Sequence, residues 1–482
     1  MLDLRPVGYV IGLLVAVLGL AMFIPMLVDL AEGRGHWPVF AEAGFLTAFT
    51  GGMVALACAN GLRQGLTLQQ TFLLTTGVWL TLPFFAAIPF MLGATDAGFA
   101  DATFEAMSGL TTTGATVLSD LSSLPKGLLL WRGILQWLGG VGIIVVAMVF
   151  LPELKVGGMQ IFKSEAFDTF GKILPRAGQI ATQISVIYLW LTVACVLAYL
   201  IAGMSIFDAT VHALTTISTG GFSAYDASFA AFSGPAEYVA TFFMIAAALP
   251  FVRYVQLING ETRALHQDPQ VRGFVLILLS LVALIAMLLQ TSDSGVWEQN
   301  FRQSLFNVTS IISGTGYASA DYMQWGAPAV ALFFFMGLIG GCAGSTACSI
   351  KIFRYQLLFA SIRAQLLRIR SPHGVFTPRY DGRPVSADVL SSVMSFFMFF
   401  FVTLGVVAVL LSLTGLDFVT SVSGAAAALA NIGPGLGDII GPTGNFSSLT
   451  DPAKWILISA MLIGRLELLA VYVILTVNFW RV

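Results

Sequence analysis

Stretches of about 20 mostly apolar residues, the length that crosses the hydrocarbon core of a bilayer, recur ten times along this chain. They fall at roughly 7–30, 38–61, 71–93, 127–151, 178–203, 236–258, 271–290, 327–362, 388–414 and 454–480. Only 10% of the residues are charged, against about 25% in soluble proteins, so the chain must bury these stretches in lipid. The first is too long for the apolar core of a signal peptide and is expected to be a retained anchor. Basic and acidic residues nearly balance at 23 and 25, which leaves no cationic surface for nucleic acid. The four cysteines, Cys58, Cys195, Cys342 and Cys348, are too few and scattered for a disulfide framework.

Orientation follows from the basic residues. With a cytoplasmic N-terminus, 17 of the 23 lie on the inner side, including Arg63, the run Lys155, Lys163, Lys172 and Arg176, and those from Lys351 to Arg383. Only Arg34, Lys126, Arg302 and Lys454 are outer, while Arg132 and Arg465 fall within spans. This satisfies the positive-inside rule, with both termini cytoplasmic. Acids lean outward, among them Asp96, Asp101, Glu105, Asp208, Asp226, Asp417 and Asp438. Their excess predicts a cation-concentrating vestibule or simply a soluble outer face.

The outer segments repeat a pattern. After the third, fifth, seventh and ninth spans comes a short semi-apolar segment, then a Gly/Thr/Ser-rich stretch, then the next span: DATFEAMSGLTTTGAT, DATVHALTTISTGGFS, RQSLFNVTSIISGTGYAS and DFVTSVSGAAAALANIGPGLG. Each apolar part is re-entrant in length, and the Asp-Ala-Thr openings of two predict helix caps. Their ends align as Thr112-Thr113-Gly114, Thr219-Gly220-Gly221, Gly314-Thr315-Gly316 and Asn431-Ile432-Gly433. Such an internal repeat is built of span, half-helix, loop and span. Glycine lets successive carbonyls turn to one side, and rings of carbonyls replace the water shell of a dehydrated ion. Half-helices ending at such loops present negative dipole ends to it. Lacking acidic side chains, the loops suit a monovalent cation.

The eighth span breaks at GCAGSTACS (341–349). Broken helices at this depth line substrate paths, although a close-packing Gly/Ser/Ala face would use the same residues. Arg465 lies ten residues after Trp455 in the last span, about 15 Å deep, where an unpartnered charge costs roughly 3 kcal/mol or more. It is expected to face the interior and donate to carbonyls of the 341–349 loop, or to join a structural ion pair. Glu467, two residues on, lies on another helix face. The four histidines do not cluster, and His212 is expected to make a structural hydrogen bond. No GxxxxGK[ST] or HExxH motif points to an enzyme, and Cys342 and Cys348 have no His or acid nearby to complete a metal site.

The four loops, the sequence GGCAGSTACSIK at 340–351 and the lone arginine of the last span resemble the membrane subunit of bacterial Trk potassium uptake systems, in the Trk/Ktr/HKT cation transporter superfamily. The resemblance covers essentially the whole chain. It implies an all-α polytopic membrane protein with four M1–P–M2 potassium-channel-like repeats around a pseudo-fourfold pore, plus two extra N-terminal transmembrane helices. The corresponding divisions are 1–66 for those two helices and 67–155, 175–260, 268–370 and 384–482 for the repeats. Gly114, Gly221, Gly316 and Gly433 match the family's filter glycines, which hold K⁺ through backbone carbonyls. Thr112, Thr113, Thr219, Gly220, Gly314, Thr315, Asn431 and Ile432 would add carbonyls. Glycine in the first loop goes with potassium selectivity in the family, serine with sodium permeation. Residues Gly340, Gly341, Cys342, Ala343, Gly344, Ser345, Thr346 and Ala347 match an intramembrane gate loop, with the matching arginine, Arg465, beside it. Cys348 and Ser349 depart from the family, which commonly has a second glycine pair there. The resemblance further implies a bacterial inner-membrane location, a homodimer, a cytosolic nucleotide-binding regulator (TrkA) and no cofactor besides the K⁺ in the pore. The expected function is channel-like potassium uptake; the alternatives are a proton- or sodium-coupled potassium symporter and, from another class, a ligand-gated receptor without transport.

Overall fold

The computed structural model describes every residue except 1–2, 34, 62–65, 147–157, 160–176, 293–295 and 482. Arg34, Arg63, Lys155, Lys163, Lys172 and Arg176 therefore lie outside the described residues, as do the end of the fourth predicted span and most of the basic 155–176 segment. Two helices, α1 (Arg5–Glu32) and α2 (Trp37–Cys58), pack along each other and precede the repeats. Small residues let their backbones touch: a methyl on Gly51 would lie 2.4 Å from the Ala16 amide nitrogen.

The repeats follow in order. The first is α3 (Leu68–Leu92), α4 (Phe99–Leu110) and α5 (Lys126–Val145). The second is α6 (Ala177–Ile201), α7 (Ile206–Ile217), α8 (Pro235–Ala248) and α9 (Phe251–Ile258). The third is α10 (Pro269–Ser292), α11 (Trp297–Ile312), α12 (Ala327–Gly337) and α13 (Ile352–Arg370). The fourth is α14 (Ala387–Leu413), α15 (Phe418–Ala430), α16 (Asp451–Arg465) and α17 (Leu469–Leu475). A two-residue hairpin, β1 (Arg379–Tyr380) and β2 (Arg383–Pro384), joins the last two repeats.

Burial divides the helices by role. The outer spans expose large apolar side chains such as Phe45, Leu56, Leu276, Met398 and Leu413, as a lipid-facing surface requires. The short helices α4, α7, α11 and α15 run 12, 12, 16 and 13 residues, less than the roughly 20 that a crossing needs, and their C-terminal halves are buried.

Three predicted spans are not single helices. The sixth bends by 90° between α8 and α9, and the last by 110° between α16 and α17. At the first bend Pro250 has no N–H and restricts the residue before it; Leu249 is extended at φ −86°, ψ 157°. At the second, Glu467 and Leu468 hold positive φ of 60° and 46°. The eighth span splits into α12 and α13 around a non-helical loop, 338–351. Among the described residues, seven helices are long and apolar enough to cross singly, or nine counting each bent pair as one.

The helix starts also differ from expectation. Asp101 and Asp208 do not cap; each lies in the first turn, after Gly98 and Ser205. Ser205 Oγ caps α7 by accepting the Asp208 N–H at 3.1 Å. An acid inside the first turn still complements the helix dipole, which is why Asp-Ala-Thr marks these starts without forming the cap.

Candidate functional site

Each short helix ends in the same backbone device. The N–H groups of Thr112, Thr219, Gly314 and Asn431 donate to carbonyls three residues back, and those of Thr113, Gly220, Thr315 and Ile432 to carbonyls five back (2.8–3.2 Å). This is the Schellman motif, which puts the first residue past the helix in a left-handed conformation. Accordingly Thr112, Thr219, Gly314 and Asn431 have φ of 53°, 49°, 75° and 51°. Two residues on, Gly114, Gly221, Gly316 and Gly433 are positive again, at 83°, 75°, 79° and 102°. This alternating handedness turns successive carbonyls to one side.

Close approach explains why the third position is glycine. A methyl there would lie 2.1 Å from the Gly220 carbonyl oxygen at Gly114, 1.9 Å from Thr315 O at Gly221, 1.8 Å from Ile432 O at Gly316 and 2.7 Å from Thr113 O at Gly433. Each glycine touches the carbonyl preceding the glycine of the next repeat, and the fourth returns to the first. The four strands form a closed ring in chain order, bringing all twelve predicted filter residues together. The four glycines also line one open cavity with Thr116, Phe222 and Phe446.

Beneath this ring lies the 338–351 loop. Cys348 Sγ is 3.6 Å from Thr112 Oγ1, and a methyl on Gly314 would lie 3.1 Å from the Cys348 amide nitrogen. The loop is hydrogen-bonded on several sides. Cys342 and Thr346 N–H donate to Ala248 and Ala247 carbonyls, Phe251 N–H donates to Gly344 O, and Ser349 N–H donates to Ala430 O. Ala343 N–H donates to Gln270 Oε1 at 2.8 Å, and Ser345 Oγ to Cys342 O at 2.7 Å. Gly340 N–H donates to Ile350 O and Ile352 N–H to Gly341 O, which pinches the ends of the loop together. Ser349, one of the departures from the family pattern, takes a left-handed φ of 66° and donates through Oγ to Gly337 O at 2.5 Å.

Arg465 ends α16, 4% exposed. It reaches the loop, but not through loop carbonyls. Nη2 donates to Gly139 O on α5 at 3.2 Å, Nη1 lies against Cys348 Sγ, and Nε has no hydrogen-bond partner among the described residues. Gly139 itself packs directly on Leu110: a methyl there would lie 1.9 Å from Leu110 O. Glu467 is not idle either; Arg354 of α13 ion-pairs with it.

Several supporting residues are legible only in the fold. Glu105, which reads as an outer acid, is fully buried; it accepts from Arg132 Nε at 2.7 Å, Thr116 Oγ1 at 3.0 Å and Val117 N–H at 3.0 Å. Arg132 Nη1 donates to Ser223 O at 2.6 Å. Gln136, one turn further along α5, accepts the Phe222 N–H at 3.0 Å and donates to Gly220 O at 2.6 Å. A charge and an amide four residues apart in an apolar span were the available signal. Asn431 Nδ2 bridges Thr113 Oγ1 and Met461 O, at 2.9 and 3.0 Å. His212 binds the Asp208 carbonyl and Ser223 Oγ, at 2.8 and 3.1 Å. Asp208 itself is engaged by Ser205 Oγ at 2.7 Å, so Glu105 and Asp208 both have partners within the fold. Asp417 caps α15, and hydrogen bonds from Thr420 and Val419 hold its carboxyl below the usual carboxylate range. Among the described residues no three His, Cys, Asp or Glu side chains group as a metal site.

Four re-entrant half-helices converging on a ring of glycines, within a bundle of long lipid-facing helices, define a multi-pass membrane transport protein. The chain belongs to the TrkH family of cation transport proteins, which matches residues 36–479. It is 44% identical over 480 residues to the Trk system potassium uptake protein TrkI of Halomonas elongata, covering 99% of this chain and 97% of that one. It is 35% identical over 486 residues to the Trk system potassium uptake protein TrkH of Escherichia coli K12, covering 99% of each. The crystal structure of the potassium transporter TrkH from Vibrio parahaemolyticus superposes with a TM-score of 0.91 at 33% identity, over all of both chains.

Proposed function

We propose that this protein carries potassium into a bacterial cell across the inner membrane, as the pore-forming subunit of a Trk-type uptake system with both termini cytoplasmic. The closed cycle of glycine-to-carbonyl contacts carries this reading, because it sets four equivalent backbone segments around one axis with no acidic side chain among them. The carbonyls of Thr112, Thr113 and Gly114, and of the matching triplets at 219–221, 314–316 and 431–433, replace the ion's water shell. The C-terminal ends of the half-helices add negative potential. Gly114 in the first loop supports potassium over sodium.

The 340–347 segment closes the inner side, and Arg465 places a fixed positive charge against it. Opening requires the loop to leave its hydrogen bonds to α8 and α15. The divisions 1–66, 67–155, 175–260, 268–370 and 384–482 are the units of this machine. A homodimer and a cytosolic nucleotide-binding regulator such as TrkA complete it, a reading that the relatives' naming as proteins of Trk systems supports. Uptake driven by the membrane potential fits the pairing of Glu467 with Arg354, which leaves that carboxylate engaged instead of poised to carry a coupled proton.

Rubidium uptake into proteoliposomes, with and without an imposed potential or proton gradient, tests this. Uptake that follows the potential and excludes Na⁺ and Li⁺ is expected; Gly114→Ser should lose that exclusion at normal abundance. Equal K⁺ and Na⁺ permeability in the unmodified protein would overturn the reading, and uptake that requires a proton or sodium gradient would make it a symporter.

A further inference from the structure

The four carbonyls of the ring are not equivalent in their surroundings. The Gly220 oxygen lies against Gly114 on one side and accepts a hydrogen bond from Gln136 Nε2 at 2.6 Å on the other. No side-chain donor is seen on the corresponding carbonyls of Thr113, Thr315 or Ile432 among the described residues. Gln136 belongs to the first repeat, yet it grips the strand of the second. Its Oε1 accepts the Phe222 N–H at 3.0 Å. The orientation of the amide is forced, since a backbone N–H can only donate and a carbonyl can only accept. Gln136 also fills the volume a side chain at residue 220 would need: a methyl there would lie 2.4 Å from its Cδ. Arg132, one turn earlier on the same helix face, holds the strand further along through Ser223 O at 2.6 Å and lies 4.1 Å over the Phe222 ring.

Building on the reading of this ring as the ion filter, we infer that Gln136 is a positioning residue that determines cation specificity by fixing the Gly220 carbonyl. Discrimination between cations in such a ring depends on the number, field strength and freedom of its carbonyl dipoles. An N–H donor occupies one lone pair of the oxygen and restrains its sideways movement. The ring then cannot tighten around a cation smaller than K⁺ by moving this oxygen, nor can Gly220 turn away when the site is empty. Gln136 touches no ion and acts only through Gly220, so its loss is expected to change the ratio of permeabilities more than the amount of folded protein.

The test uses Gln136→Met, which keeps the length of the side chain and removes both hydrogen bonds, with Gly114→Ser as a parallel filter variant. Rb⁺ and Na⁺ fluxes are measured in proteoliposomes at matched protein. The Rb⁺/Na⁺ ratio of Gln136→Met is expected to fall by about tenfold, the scale of one lost buried hydrogen bond, with the Rb⁺ rate less affected. Should Gln136→Met fail to accumulate, Gln136→Glu takes its place across pH. Its protonated carboxyl still donates to Gly220 and its ionised form does not, so the ratio should fall reversibly as pH rises. A folded Gln136→Met with the unmodified ratio, or with both fluxes reduced equally, overturns the inference while a selectivity loss in Gly114→Ser leaves the filter reading standing. A pH-independent ratio in Gln136→Glu likewise overturns it. If neither Gly114→Ser nor Gln136→Met alters the ratio, the filter reading falls as well.

Discussion

Removing Glu105 leaves Arg132 charged and buried in the wall behind the glycine ring. Both side chains are almost fully enclosed, so the consequence is dominated by an uncompensated charge, for which loss of one partner of a buried pair costs about 3–5 kcal/mol. Arg132 would keep the Ser223 carbonyl, the Thr116 hydroxyl at 3.2 Å and the Phe222 ring face, which places the charge contribution near the lower limit, about 3 kcal/mol. Val117 N–H would lose its acceptor, adding about 1 kcal/mol. Glu105→Ala is therefore expected to destabilise the protein by about 4 kcal/mol. The double variant Glu105→Leu/Arg132→Met removes both charges and fills the space with apolar atoms. It should recover at least half of that loss, because a buried ion pair is often no better than a well-packed apolar pair. Unfolding by sodium dodecyl sulfate in mixed micelles, compared across the two single variants and the double, measures this. A Glu105→Ala protein within about 1 kcal/mol of the unmodified one, or a double variant as unstable as the singles combined, would refute the reasoning, since contacting sites must couple.

Two further outcomes follow from the geometry. Gly316→Ala puts a methyl 1.8 Å from the Ile432 oxygen in a left-handed conformation and should lower the Rb⁺/Na⁺ selectivity and the rate of Rb⁺ uptake, whereas Gly405→Ala, with open space on helix α14, should leave both unchanged and stability equal or improved by up to about 1 kcal/mol; equal behaviour of the two in flux, selectivity and thermal unfolding would remove the ring's role. Arg465→Ala, or deletion of Gly344–Ala347, should raise basal Rb⁺ flux while Arg465→Lys stays closer to the unmodified protein, and unchanged flux from either folded variant would mean that the loop only packs.

Much of this molecule is legible along the chain because the membrane imposes local rules. An apolar stretch must be helical and long enough, and a left-handed or close-packed backbone position selects glycine wherever its neighbours lie. The two N-terminal helices, the four re-entrant segments and Gly114, Gly221, Gly316 and Gly433 could be found that way, as could the interruption at 341–349. The bend at Leu249 has a local cause in Pro250, but a proline in an apolar stretch does not distinguish a kink from a turn of 90°. The bend after Arg465 has no such marker, as Glu467 and Leu468 take left-handed conformations without glycine.

What the sequence by itself determined is therefore the set of segments and the backbone chemistry each can offer. Only the tertiary structure decided their partners. The closed order of the ring makes α5 of the first repeat a neighbour of the second repeat's segment, which turns Gln136 into a ligand of Gly220 and joins Arg132 to Ser223; the packing of the fourth repeat against the first and the third directs Arg465 to Gly139 and Cys348 rather than to a loop carbonyl. Hydrogen bonds and charges inside a membrane protein must be satisfied by whatever lies within about 3 Å, and residues separated by 84, 91 or 326 positions reach that distance only once the repeats have closed around their common axis.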